Sequence, residues 1–432
     1  MFSKFKKILS DPEIIKHLAF TILILLVFKI GTFIPVPLID VNGIKNTLAN
    51  NDFLTILNTF SGGGLSSFSI LSLGISPYIT ASIIVQMLQM IIPTMKDWQE
   101  MGDAGKQKSN RVTRYLTIVI AIIQALALLL GLGTRAENIF WVKAIANYSW
   151  FYYLYMAIVI AAGSAFTMWL ADLITKHGVG NGSSMIICAG IVASLPTMFQ
   201  TLGTDYLGSN YSGSNLVKFI SIIVIYLAMI LAIVWFEGAR REIPVQYANR
   251  QGNQKSSIPL KLNSAGVIPV IFAQTLLSIP TTIVGMMGLS TDSSTAAYWI
   301  DQVFTTSKPI GMVLYILMIV FFTYFYAFLT IDPDKIGDSL SKQNGFIPGI
   351  KPGEETKTQI SNILFKVTTI GAIGITLVAL VPVIVQLAFG TSSSVTMGGT
   401  SLLIIVGVAI ETASQIETEA ENKDSYQPTI IG

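Results

Sequence analysis

The chain has 432 residues, of which 52% are hydrophobic and only 12% charged, about half the charge of an ordinary soluble domain. That balance excludes a water-soluble globule, a disordered or collagen-like chain and a coiled coil. The single cysteine, Cys188, excludes an internal disulfide and any cysteine-based metal cluster.

Uncharged runs set out the elements in chain order. Residues 18–39 are apolar apart from Lys29. Before them, residues 2–17 alternate apolar side chains with lysines, the pattern of an amphipathic helix lying on a membrane surface. The apolar run is longer than a signal-peptide core, and Pro35-Val36-Pro37 is no small-residue cleavage site, so a retained first helix is predicted. Residues 53–95 hold 43 positions without a charge. They are too long for one crossing and too punctuated for two, because Ser61-Gly-Gly-Gly64, Gly74 and Pro77 break them before a clean helix over 78–92. Such a stretch is either an outside loop with a helical turn or a re-entrant segment inside a pathway.

Single spans follow at 115–134, 144–171, 178–204, 219–236, 262–291 and 309–331. Residues 367–410 supply two more, divided by the turn-like run 390–399 and ending near Ile416. The total is ten helices, and long apolar runs without ten-residue alternation exclude an outer-membrane barrel. Ten crossings put both termini on one side. That side carries 21 of the 27 Lys and Arg residues and the other five, Lys29 lying within a span, so both termini are predicted to be cytoplasmic.

Within the spans charge is nearly absent, with Lys29 the clear case, and a lysine can snorkel to an interface. Neutral polar groups stand out instead: Ser82, Gln86 and Gln89 on the second span, and Asn263, Gln274 and Thr275 on the seventh. They serve either interhelical hydrogen bonding or a conduit for chemically varied cargo. Two cytoplasmic loops exceed a tight turn. Residues 237–262 alternate apolar side chains (Ile243, Val245, Tyr247; Ile258, Leu260) on both sides of an Asn/Gly turn, which predicts a β-hairpin. Residues 332–362 form the other loop, and the positive charge of the two loops together suits an acidic protein or RNA.

Enzyme motifs are missing. Gly105-Lys106 is followed by Gln107 and so is no phosphate loop, and two histidines, His17 and His177, cannot build a zinc site or a triad. No cofactor is expected, and any energy source must be external.

Several long segments then resemble one family. Residues 60–66 and 73–86, 169–184 (Trp169-Leu-Ala-Asp-Leu to Ser184), 263–269, 346–354 and 398–404 are similar, in order, to stretches of the SecY family of protein-translocation channels. The resemblance runs from the first helix to the tenth. It implies an all-α membrane protein of two inverted five-helix halves, 1–205 and 206–416, around a central pore, with a cytosolic tail at 417–432. It implies a plug at about 57–73 (Gly62, Gly63, Gly64, Leu65, Phe68 and Leu71) and a pore ring of Ile75, Ile79, Ile187, Ile271 and Ile404. It also implies a lateral gate between the second and seventh helices, bearing Ser82, Gln86, Asn263, Gln274 and Thr275. The implied partners are SecE and SecG subunits, the SecA motor ATPase, the ribosome, signal sequences, unfolded preproteins and membrane lipid, in a bacterial plasma membrane. Arg240, Arg241, Arg250 and Lys351 are the candidate docking residues. Two positions depart from the family pattern: Ser183 stands where an apolar ring residue is common, and Lys351 where an arginine is usual, which loses the bidentate fork. An inverted-repeat transporter for a small solute is the alternative function, and a scaffold without transport a third.

Overall fold

The computed structural model describes residues 11–37, 58, 61–133, 149–207, 213–247, 256–286, 295–306, 308–351, 353–390 and 393–426. Helix α1, Pro12–Gly31, starts where local chemistry dictates: Asp11 accepts a hydrogen bond from the Glu13 amide at 3.0 Å, and Pro12 fills the first turn, where no amide partner is needed. The helix therefore begins six residues before the predicted span, and the rest of the predicted surface helix lies outside the described residues. Helix α2, Ser76–Ile91, has Pro77 in its first turn and ends where Pro93 forces Ile92 into an extended conformation. A short α3, Pro93–Glu100, leads into the long α4, Asp103–Gly133, and α5, Ser149–His177.

After a turn at Gly180 come α6, Gly182–Leu207, and α7, Gly213–Gly238. Strands β1, Arg240–Tyr247, and β2, Ser256–Lys261, precede α8, Ile268–Met286, the short α9, Thr295–Phe304, and α10, Pro309–Thr330. The chain closes with α11, Pro333–Lys342, strand β3, Gly345–Phe346, and two long helices, α12, Glu354–Phe389, and α13, Ser393–Tyr426. Gly390, in the left-handed conformation, separates the last two. The dividing turn is thus shorter than the predicted 390–399, because Ser393 onward is already helical.

Among the described residues, eight helical stretches are long and apolar enough to cross a bilayer. The other two predicted spans correspond to α2, at 16 residues, and α8, at 19, both shorter than the roughly 20 residues a full crossing takes. The outward faces of the helices are apolar, as at Leu231 and Trp235 on α7 and Leu377 on α12, all more than 60% exposed. In water such faces would aggregate; facing lipid they cost nothing.

The most extensive helix contacts join α4 to α5 and to α2, α10 to α8 and to α12, and α6 to α13. The earlier helices meet the later ones where α6 packs on α7 and α13 and where α2 and α4 pack on α8. The departure from an all-helical chain is a sheet of order β2-β1-β3. Its hairpin is the predicted one, with Arg240 opposite Lys261 and Val245 opposite Ser256. Its third strand comes from the second long loop.

Candidate pore, plug and gate

All five isoleucines of the expected ring are buried: Ile75 is 1% exposed, Ile79 7%, Ile187 3%, Ile271 5% and Ile404 4%. They come from four separate stretches of chain (the start of α2, α6, α8 and α13), yet belong to one contiguous apolar cluster. Ile75 caps the start of α2, and its carbonyl accepts from the Ile79 amide at 3.1 Å, so the two side chains share a face one turn apart. Ser183, at the first turn of α6, uses its hydroxyl and amide on the Asn181 side chain, at 2.7 and 3.1 Å. It acts as part of the helix cap.

The punctuated stretch before α2 folds into consecutive turns with most of its side chains sealed from solvent. Leu65 and Phe68 are fully buried, and Leu71 and Leu73 are each 2% exposed. Glycine makes this path possible: Gly62 and Gly63 take φ of 67° and 85°, where a side chain would be strained. Phe68 takes φ 42°, and the Ser69 amide bonds the Gly64 carbonyl at 2.7 Å across that bend. Residues 57, 59 and 60 of the expected plug lie outside the described residues.

The segment is tied to the end of α1 by the Val36 amide on the Phe68 carbonyl (2.8 Å), the Ile70 amide on the Ile34 carbonyl (2.9 Å) and the Ser67 hydroxyl on the Thr32 carbonyl (2.7 Å). Lys29 adds an ammonium bond to the Gly62 carbonyl at 2.9 Å while standing 5.0 Å over the Phe33 ring. The lysine thus points into the protein instead of snorkelling away from it. Leu65, Phe68 and Leu73 pack in a side cluster with Leu128 of α4 and Met156 and Ile160 of α5, whereas Leu71 joins the cluster of the five isoleucines. Close backbone approach fixes the depth: a Cβ on Gly62 would meet Cα of Gly190 on α6 at 3.1 Å, and one on Gly163 of α5 would collide with the Ile70 carbonyl.

The polar residues of the expected gate separate into distinct roles. Gln86 donates to the Ser82 hydroxyl at 3.1 Å and accepts from the Tyr326 hydroxyl at 2.7 Å, joining α2 to α10. Gln89 bonds Ser109 and joins α2 to α4. Thr275 is spent on its own helix, bonding the Ile271 carbonyl at 2.7 Å, and Gln274 beside it is half-buried. Asn263 is not on the helix at all. It lies before α8, where its amide bonds Glu237 at the end of α7 and the Gly266 carbonyl. The partner of Gln86 that the sequence did not reveal is Tyr326. Its ring packs edge-on against Phe272 at 5.3 Å, and an aromatic inside the apolar run 309–331 gives no signal of a polar partner 240 positions away.

The two long loops build one platform. Ile243, Val245 and Leu260 of the hairpin bury themselves against Leu340, Ile347 and Ile360, and β3 pairs with the end of β1 through Gln246–Phe346 and Tyr247–Gly345. Arg240, Arg241 and Lys351 are exposed on this platform. Arg250 lies outside the described residues.

The comparisons with known proteins agree on one family. The SecY family model matches residues 69–413. The chain is 41% identical to the protein translocase subunit SecY of Bacillus subtilis, over 97% of each chain. A solved protein-conducting channel superposes with a TM-score of 0.66 at 18% identity, covering 98% of this chain and 96% of that one. A solved SecY protein, whose plug domain stabilises the closed state of the translocation channel and maintains a membrane seal, gives 0.65 at 19% with the same coverage. Sec61 in the canine ribosome-channel complex from the endoplasmic reticulum gives 0.64 at 19%, again with the same coverage. A family match over most of the chain, together with identity of this level over nearly its whole length, establishes that the chain belongs to the SecY family.

Proposed function

We propose that this chain is the channel-forming subunit of a Sec-type translocase, passing unfolded secretory polypeptides across a bacterial plasma membrane and releasing membrane segments sideways into lipid. One observation carries this reading. A buried, glycine-turned stopper, residues 61–74, leads directly into two of five isoleucines that four separate stretches of chain bring into one apolar cluster. A stopper of this kind has no use in a scaffold. A solute transporter would be expected to place an acidic coupling residue in the bundle.

The physical roles follow from the residues. Ile75, Ile79, Ile187, Ile271 and Ile404 form a narrow apolar constriction that excludes water and ions by dewetting and yields to a passing chain. Gly62 to Leu71 close it from the outside. Residues 1–205 and 206–416 are the two halves, and 417–432 the tail. Parting of α2 from α8 and α10 opens the wall to lipid, and Ser82, Gln86, Gln274 and Thr275 lie along that seam. Asn263, tied to Glu237, steadies the entry to α8. Both termini and the platform face the cytoplasm. There the exposed Arg240, Arg241 and Lys351, with Arg250, engage the ribosome or the SecA motor ATPase. SecE and SecG complete the complex. The energy comes from these partners, since this chain supplies a path and a seal.

The test is reconstitution in liposomes with a SecE-type subunit, the motor ATPase, ATP and a labelled precursor. Protection of the precursor from protease, dependent on ATP and on an intact signal sequence, is the expected outcome. Ion-driven uptake of a small solute without protection would sink the channel reading and support the transporter.

A further inference from the structure

We infer that Lys29 is an electrostatic latch that holds the first turn of the plug shut in the resting channel, an inference that rests on the channel reading above. Among the described residues, the turn 61–64 is bonded internally, to Asn58, and to the neighbouring plug residues Leu65, Ser66, Ser67 and Ser69. The hydrogen bond that reaches it from the transmembrane helices is the one from the Lys29 ammonium to the Gly62 carbonyl, at 2.9 Å. The later part of the plug is held differently, by neutral backbone and hydroxyl bonds to residues 32–36. The two parts of the plug are thus anchored to the helices by different kinds of bond, and they are joined to each other by the Ser69 amide on the Gly64 carbonyl.

The geometry favours a charge at this point. Lys29 lies two residues from the end of α1 and is the charged residue of an otherwise apolar span. An ammonium there must find acceptors or reach water. It finds the Gly62 carbonyl on one side and the Phe33 ring, 5.0 Å away, on the other. Gly62 is suited to receive it. Its left-handed φ of 67° sets the turn and would strain any side chain, and a Cβ there would crowd Gly190 at 3.1 Å and Phe28 at 3.4 Å. Gly190 is one turn along α6 from Ile187, so the latch presses the plug's first turn against the helix that carries part of the proposed ring. A charge-assisted bond is about twice as strong as a neutral one, yet it is a single bond. It can hold a seal and still be broken by an arriving chain.

The experiment compares wild type with Lys29→Met, Lys29→Arg and Ser67→Ala in proteoliposomes with a SecE-type subunit, reading resting ion conductance without a precursor. A second readout is labelling of Ser66→Cys, in a Cys188→Ala background, by a membrane-impermeant maleimide. Loss of one charge-assisted bond should raise resting leak and labelling rate roughly tenfold in Lys29→Met. Lys29→Arg should stay within about twofold of wild type, and Ser67→Ala, which removes a neutral tie, should fall between them. Wild-type tightness in Lys29→Met would overturn the latch, and so would a leak in Lys29→Arg equal to that of Lys29→Met. Failure of the wild-type complex to export a precursor would instead overturn the channel reading, so the two failures are distinguishable. Thermal melting of each variant in detergent shows whether the fold is intact.

Discussion

The hydroxyl of Tyr326 donates to Oε1 of Gln86 across 2.7 Å, fastening α10 to α2 along the seam where the wall of the channel is proposed to open. The bond is half-buried, and Gln86 holds its other partner, Ser82, at 3.1 Å on its own helix. Opening this seam therefore breaks one interhelical hydrogen bond while leaving Gln86 partly satisfied. Tyr326→Phe removes the donor and keeps the edge-on packing against Phe272. A net hydrogen bond contributes about 1 kcal/mol and a buried methylene about 0.8 kcal/mol. The variant should therefore export precursors whose signal segments are about one methylene less hydrophobic. A graded series of Leu→Val substitutions in the signal segment, each removing one methylene, measures the threshold, and an unmoved threshold would remove Tyr326 from the gate.

Gly163 on α5 faces the Ile70 carbonyl so closely that a methyl group has no room. Gly163→Ala should push the 67–72 stretch away from α5. Overpacking of this kind costs about 1–3 kcal/mol. The expected result is a lower melting temperature together with higher resting conductance. A lower melting temperature with an intact seal would show that the contact supports the bundle alone.

A polar side chain within the proposed ring should wet it. Ile271→Asn replaces a residue 5% exposed with an amide that has no designed partner, at a cost of about 1–3 kcal/mol if it stays dry. Drawing water into the constriction relieves that cost, so the resting conductance of the reconstituted channel should rise. Ile233→Asn, also buried in the central cluster but outside the proposed ring, should destabilise the protein without that rise. Equal leaks from both variants would count against the ring.

The platform is a separate small core, and its failure should leave the spans intact. Leu260, 2% exposed, packs with Ile243, Leu340 and Ile360. Leu260→Ala should cost about 2–5 kcal/mol locally. Limited proteolysis should then cut the chain near residues 248–255 at a much higher rate. Fragments protected within the membrane should stay unchanged, and simultaneous loss of that protection would mean the platform and the bundle fold as one unit.

Much of this protein was legible in its sequence, because a bilayer imposes one-dimensional rules. Apolar runs of about 20 residues, glycine breaks and the one-sided distribution of lysine and arginine depend on neighbours in the chain alone. So did the hairpin at 240–261, whose period-two alternation and Asn/Gly turn are local. Helix ends were less accurate, at Pro12, Ile268 and Ser393, since capping and the residue before a proline decide them within one turn. The functional details were set by tertiary structure. Lys29 reads as a lysine that could snorkel in either direction, and only the position of the Gly62 carbonyl turns it inward. Asn263 reads as the start of the seventh helix, and the carboxylate of Glu237 holds it before α8. The third strand of the platform and the Tyr326–Gln86 bond each join residues about 100 to 240 positions apart. Hydrogen-bond partners at such separations are chosen by which helices pack together, and that choice follows from the shapes of whole apolar faces in three dimensions.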